Sequence, residues 1–188
     1  MPAELLMASP GAAPLAWTVY ESPLGPLTLV GDDSGLRAIY FPGRSGPLAE
    51  ATRDPVPFAE AMTQLAQYFA GERRRFDLAL ALEGTPFQRR VWAVLRTIPY
   101  GETRSYGEVA DEIGRLDRIR AVGAAVGRTP VPIIVGCHRV IGAHGSLTGY
   151  GGGVHRKQAL LDLESRGSGG GAQVAATNWA GRQLSLLA

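Results

Sequence analysis

A chain of 188 residues, 45% hydrophobic and 19% charged, holds enough apolar material for one large domain or two small ones, which excludes wholesale disorder. No apolar run approaches the roughly 18 residues of a membrane span, and the N-terminus, Met1-Pro2-Ala3-Glu4, carries an acid and no basic stretch, so a cytoplasmic protein is expected. The single cysteine excludes an internal disulfide and, with three histidines beside it, supplies too few ligands for a cysteine-based zinc site, so neither metal nor cofactor is expected.

The net charge of +2 is unevenly spread. Residues 1–84 carry six basic and ten acidic side chains, residues 85–166 twelve and seven, which makes the second segment the candidate face for a polyanion. A solvated surface explains the same excess equally well.

In chain order, Trp17–Tyr20, Leu27–Val30 and Leu36–Phe41 read as strands, separated by Pro23-Leu24-Gly25-Pro26 and Gly31-Asp32-Asp33-Ser34-Gly35. The pattern predicts an antiparallel meander. A helix follows with Phe58, Met62, Leu65 and Phe69 on one face, and the alternation of Phe76, Leu78, Leu80 and Leu82 predicts one more strand. This first segment shows no catalytic constellation and reads as a structural platform.

From Thr85 the start signals are helical. Thr85-Pro86-Phe87-Gln88 and Ser105-Tyr106-Gly107-Glu108 are capping boxes, the second helix ends at Gly114, and Asp117 is the expected cap of a third that runs to Val126. Two short helices around a tight turn fit a helix-turn-helix or an ordinary helical hairpin. The second of them, Arg118 to Val126, holds two arginines and then small residues, which suits close, sequence-independent approach to a groove or close packing on another helix. Ile133 to Ile141 is an apolar run interrupted by Cys137-His138-Arg139, and a last helix spans Val154 to Glu164.

A thiol needs a base or a positive field to become a thiolate, and His138 and Arg139 adjoin Cys137. Neighbouring side chains on an extended segment point to opposite faces, so a turn or a bridging water must join Cys137 to His138.

Gly136-Cys137-His138-Arg139-Val140, preceded by Thr129-Pro130-Val131-Pro132-Ile133-Ile134-Val135 and followed by Leu147-Thr148-Gly149-Tyr150-Gly151-Gly152-Gly153, resembles the active-site region of the O-6-alkylguanine-DNA alkyltransferases. Pro99-Tyr100-Gly101-Glu102-Thr103, Ser105-Tyr106-Gly107-Glu108 and Arg120-Ala121-Val122-Gly123 extend the likeness over most of residues 85–165, and it continues more loosely over 16–84. The resemblance implies an α+β fold: an extension at 1–15, a small RNase H-like α/β domain at 16–84, a mostly helical DNA-binding catalytic domain at 85–166 with a helix-turn-helix and the Cys-His-Arg turn, and a flexible tail at 167–188.

It also implies a function, irreversible single-turnover transfer of an alkyl group from O-6-alkylguanine, with O-4-alkylthymine a further candidate, in double-stranded DNA to Cys137, by a protein acting as a monomer. Cys137 becomes the acceptor, with His138 linked through a water to it and to Glu164. Arg120 fills the gap left by the extruded base, Tyr106 presses on the neighbouring phosphate, and Gly107, Arg115 and Ala124 join them on the DNA face. Tyr106, Val140, Tyr150 and Gly151 line the base pocket, and Thr129 is the hinge. A different class of protein, a non-catalytic binder that flags damaged DNA, is the alternative, and a thiol hydrolase is a third. The family has Asn-Pro at Thr129-Pro130 and Pro-Cys at Gly136-Cys137. A proline before the cysteine would stiffen the turn, so Gly136→Pro, with Thr129→Asn, is expected to raise stability and the rate of methyl transfer.

Overall fold

The computed structural model describes residues 14–167 except 45, 47 and 50. The extension and the tail expected at the two ends lie, but for residues 14, 15 and 167, outside the described residues.

The meander forms as its turn chemistry predicts. Strands β1 (Ala16–Ser22), β2 (Gly25–Asp32) and β3 (Gly35–Tyr40) pair antiparallel, β4 (Thr52–Arg53) adds a parallel edge to β1, and the sheet order is β3-β2-β1-β4. Gly35 opens β3 with φ +131°, and a Cβ there would lie 2.4 Å from the Ala79 carbonyl oxygen, so only glycine fits. Helix α1 (Ala59–Phe69) follows a 3-10 turn at Val56–Phe58 and covers the sheet. Its buried face is Ala61, Gln64, Leu65 and Tyr68, rotated from the expected one, so that Met62 and Phe69 flank the core and Tyr68 enters it.

The strand expected at residues 76–82 does not form. Only Leu80 bridges to Leu36, through Leu36 N–H to Ala79 O at 2.9 Å and Ala81 N–H to Leu36 O at 3.0 Å. The ladder cannot continue because the Ile39 N–H already donates to the Pro130 carbonyl at 2.9 Å. That edge of the sheet belongs to the second half of the chain.

Helix α2 (Pro86–Thr97) starts on the Thr85–Gln88 capping box and α3 (Tyr106–Glu112) on the Ser105–Glu108 box, both reciprocal. Gly114 closes α3 with φ +68°. A short 3-10 turn, Leu116–Arg118, leads into α4 (Ile119–Gly127). Asp117 does not cap α4, whose N-cap Arg118 makes no side-chain capping bond. The Asp117 carboxylate is instead held by Arg115 at 3.0 and 3.1 Å, which turns it away from the helix amides.

Trp92 of α2 donates to the Ala125 carbonyl at 2.9 Å and so fixes α4 to the domain core. A two-residue parallel pair of β5 (Arg104–Ser105) and β6 (Val140–Ile141) joins the entry of α3 to the exit of the cysteine turn. Helix α5 (Val154–Gly167) closes the fold with Lys157, Leu160 and Glu164 buried. Two of these three are charged, and what they meet inside defines the site.

Candidate active site

Residues 131–140 are buried without a break. Within them Cys137–Arg139 forms a 3-10 turn, which removes the opposite-face problem of an extended chain. The turn depends on two left-handed residues, Gly136 at φ +78° and Ile133 at φ +72°. For a β-branched residue that conformation costs on the order of 1–3 kcal/mol. The backbone N–H groups of Ile133 and of Cys137 itself favour the ionised form of the Cys137 sulfur.

Burial pushes the Cys137 thiol up to about 11, against the opposing pull of the Thr129 hydroxyl, the Lys157 charge and those two N–H groups. At neutral pH the resting side chain is therefore a thiol, and a base must take its proton. His138 is suited to that. Burial, helped by Arg139 and Lys157, holds its imidazole below the ordinary histidine range even though Glu164 pulls the other way. Its Nε2 lies 2.8 Å from Glu164 Oε1. With the carboxylate as acceptor, Nε2 carries the proton and Nδ1 keeps the lone pair. Nδ1 is buried and bonds to no group among the described residues.

Burial alone would raise the Glu164 carboxyl, but His138 and Arg139 outweigh it and hold it far below the usual carboxylate range. Arg139 grips both oxygens, Nη2 to Oε1 at 2.9 Å and Nε to Oε2 at 2.9 Å, while its Nη1 donates to Ile98 O at 2.8 Å. The Gly101 N–H reaches Oε2 at 3.0 Å and the Tyr68 hydroxyl reaches Oε1 at 2.7 Å. Lys157 donates to the Val140 carbonyl and, at 3.3 Å, to the Thr148 carbonyl. The Tyr150 hydroxyl is buried against the thiol without finding a partner in hydrogen-bond geometry.

A cavity of about 380 Å³ opens onto Cys137 between Ile39 and Phe41 of the sheet domain and Pro130, Tyr150 and Gly151 of the helical one. Through Gly127, Gly149, Tyr150 and Gly151 it continues into an open groove lined by Tyr106, Ile119 and Gly123. The groove is floored by small residues, and the face beside it carries Arg120 and Ala124 of α4, both exposed, and Ile119, which is 44% exposed.

Residues 15–82 match the ribonuclease-like domain of 6-O-methylguanine DNA methyltransferase, and residues 86–166 match its DNA-binding domain. A methylated-DNA–protein-cysteine methyltransferase of Mycobacterium tuberculosis is 57% identical over 150 residues, covering 77% of this chain and 88% of that one. This chain belongs to that family. A second relative of the same name, from Mycolicibacterium paratuberculosis, is 54% identical over 160 residues, covering 82% of this chain and 94% of its own. Among solved structures, Mycobacterium tuberculosis OGT in complex with DNA superposes with a TM-score of 0.78 at 54% identity, over 81% of this chain and 94% of that one.

In this methyltransferase-family chain the structure brings Cys137, His138, Glu164, Val140, Tyr150 and Thr129 around one buried point, and places Tyr106, Gly107, Arg115, Arg120 and Ala124 on the helix-turn-helix outside it. Tyr106 meets the pocket rim through a 3.3 Å bond from its hydroxyl to Thr148 O, and Arg115 is engaged with Asp117. Thr129 still links helix to thiol: its hydroxyl donates to the Val126 carbonyl at 2.8 Å at the end of α4 and lies beside the sulfur.

Gly136 overturns the sequence-based expectation. Proline is confined to φ near −65°, so Gly136→Pro breaks this turn and lowers stability. Lys157 and Tyr68 were not foreseen. Lys157 had a signal, since it shares the i, i+3, i+7 face of Leu160 and Glu164.

Proposed function

We propose that this chain takes an alkyl group from O-6 of guanine in duplex DNA and keeps it on Cys137, one group per protein molecule, as a cytoplasmic direct-reversal repair protein built from a platform at residues 16–84 and a catalytic unit at 85–166. The observation that carries the reading is a lone cysteine at the floor of a cavity, next to a neutral imidazole backed by an ionised, arginine-clamped carboxylate. Among the described residues no helix is long and apolar enough to cross a membrane.

The proton of Cys137 passes through a water to His138 Nδ1, and the imidazolium so formed is stabilised by Glu164. The thiolate then attacks the alkyl carbon, forming the C–S bond as the C–O6 bond breaks. The electron pair leaves with guanine, and Tyr106 donates to a ring nitrogen of that departing base. A thiolate is the soft nucleophile such a displacement needs, and the thioether product does not hydrolyse. With no second cysteine, no thiol in the chain can accept the group, so turnover stops at one.

The carbonyls of Cys137 and Val140 face the base edge. Each already accepts one internal bond, from the Val140 N–H and from Lys157, and each has a second lone pair to offer. Stacked guanine keeps O-6 out of reach, so the nucleotide must rotate out through the groove while Arg120 occupies the gap and the Gly151 N–H meets O-6.

Incubation with methylated duplex should add one methyl to the peptide that contains Cys137 and to no other. Cys137→Ser should bind the same duplex and leave it methylated. Repair by Cys137→Ser, or a methyl elsewhere, overturns the mechanism. Stable binding without any methyl on the wild-type chain would favour the damage-flagging alternative.

A further inference from the structure

The sheet domain contributes a side chain to the catalytic network. We infer that Tyr68, on α1, is a positioning residue for thiolate formation: its hydroxyl fixes the Glu164 oxygen that faces His138 and tempers that oxygen's pull on the imidazole proton. The inference rests on the reading of Cys137, His138 and Glu164 given above and extends it into the domain that the sequence marks as a platform.

The geometry is specific to one atom. Glu164 Oε1 accepts from Tyr68 at 2.7 Å, from His138 Nε2 at 2.8 Å and from Arg139 Nη2 at 2.9 Å, whereas Oε2 takes Arg139 Nε and the Gly101 N–H. Tyr68 and His138 therefore share an acceptor. Both are fully buried, as is Glu164, so no water competes at that oxygen. Bonds to an ionised acceptor are strong, and those in a dry interior stronger still.

Tyr68 is locked from its other side by an edge contact to Tyr100 at 5.9 Å and a tilted one to Phe76 at 5.2 Å. Its ring cannot follow a wandering carboxylate, and this rigidity is what lets it hold one. Burial, then the Glu164 charge, raise its hydroxyl well above the ordinary tyrosine range, so Tyr68 donates its hydrogen bond and keeps its proton throughout. No proton leaves Tyr68 in the cycle.

The charged and titratable groups around the pair come from four further places: Arg139 on the turn, Lys157 on α5 with Glu164, Tyr100 after α2, and Tyr150 ahead of α5. Arg139, Lys157 and Tyr100 each also bond to a backbone carbonyl, a bond that does not involve the Tyr68 hydroxyl. The sign of the effect then follows. Without the Tyr68 donor, Oε1 is less saturated and draws the His138 proton more strongly, so His138 stays protonated to higher pH and the pH at which it becomes a base rises.

The test is the pH dependence of single-turnover alkyl transfer from free O-6-benzylguanine, with the full chain and rates taken per folded molecule. Tyr68→Phe keeps the ring and its aromatic contacts. It should lower the plateau by roughly 3–10-fold, the worth of one such bond, and move the acid limb up by roughly 0.5–1 pH unit. Tyr68→3-fluorotyrosine, a stronger donor in the same place, should move the limb down, and it serves equally if the phenylalanine variant folds poorly. A lower melting temperature with plateau and acid limb unmoved would make Tyr68 a packing residue and end the inference. Glu164→Gln separates the two levels. If it leaves rate and limb unchanged, the underlying reading of Glu164 is wrong; if it cripples transfer while both Tyr68 variants match the wild type, only the Tyr68 inference fails.

Discussion

The two halves of the site are built on opposite rules. Around Cys137 three ionisable side chains are buried and held: Glu164 by donors from four residues, His138 by Glu164, Lys157 by two carbonyls. On the helix-turn-helix Arg118 and Arg120 are exposed, α4 begins without a side-chain cap, and Ile119 stands in solvent. Preorganisation suits the half where charge develops, since dipoles already in place need no rearrangement as the thiolate forms. The outer half meets a polyanion whose sequence it need not read, so an exposed arginine and a smooth small-residue surface suffice. Chemistry and base delivery should thus be separable by substitution.

Two variants test that separation hardest. His138→Gln removes the proposed base, an effect of roughly 10²–10⁴-fold, and the loss should be the same on methylated duplex and on free O-6-alkylguanine. Arg120→Ala should slow the duplex reaction alone, by on the order of 10–100-fold, because only there must a base be held out of its stack at a cost of a few kcal/mol. Single-turnover rates on both substrates decide the matter. An equal loss for Arg120→Ala on the free base would put Arg120 in the pocket or the core and break the division.

Sequence legibility follows the same line. Capping boxes, glycine stops and the Cys-His-Arg run are local signals, and the helix starts and the cysteine turn could be placed from them, whereas Glu164 entered only through the family resemblance. What could not be seen depends on contacts across the chain. The 76–82 segment alternates like a strand, but its would-be neighbour already donates the Ile39 N–H to Pro130, 91 residues further along the chain. Tyr68 sits one position from the face that periodicity selects, and only the arrival of α5 explains why it, and not Phe69, points inward. Left-handed Ile133 has no sequence signature, because β-branched residues avoid that conformation.

A finer test of the inner half uses pH. The unfolded thiol ionises near 9, but the folded one does so near 11, so between those values the native state binds the extra proton and stability falls as pH rises. Two pH units correspond to roughly 2–3 kcal/mol. Denaturant unfolding of the wild type between pH 8 and 11 should show that loss, and Cys137→Ser, which has nothing to ionise there, should lack it. Parallel curves for the two proteins would mean that the buried thiol is less isolated from water than the geometry indicates.

The smallest effect expected concerns Gly136, where the inner half meets its own backbone. The residue lies at φ +78°, so alanine in its place adopts a left-handed conformation that costs an L-residue roughly 1–2 kcal/mol. Its Cβ would also approach Arg139 Nη1 to 3.1 Å and the Leu95 carbonyl oxygen to 3.3 Å, and Arg139 cannot yield freely because it clamps Glu164. Gly136→Ala should therefore lower the melting temperature by roughly 2–8 °C. It should also slow transfer equally on duplex and free base, since the displaced arginine acts through Glu164 and His138 and leaves the DNA face alone. If Gly136→Ala melts with the wild type and reacts at its rate, the turn has room that its burial and its arginine deny, and the contrast between a rigid interior and an adaptable exterior loses its sharpest edge.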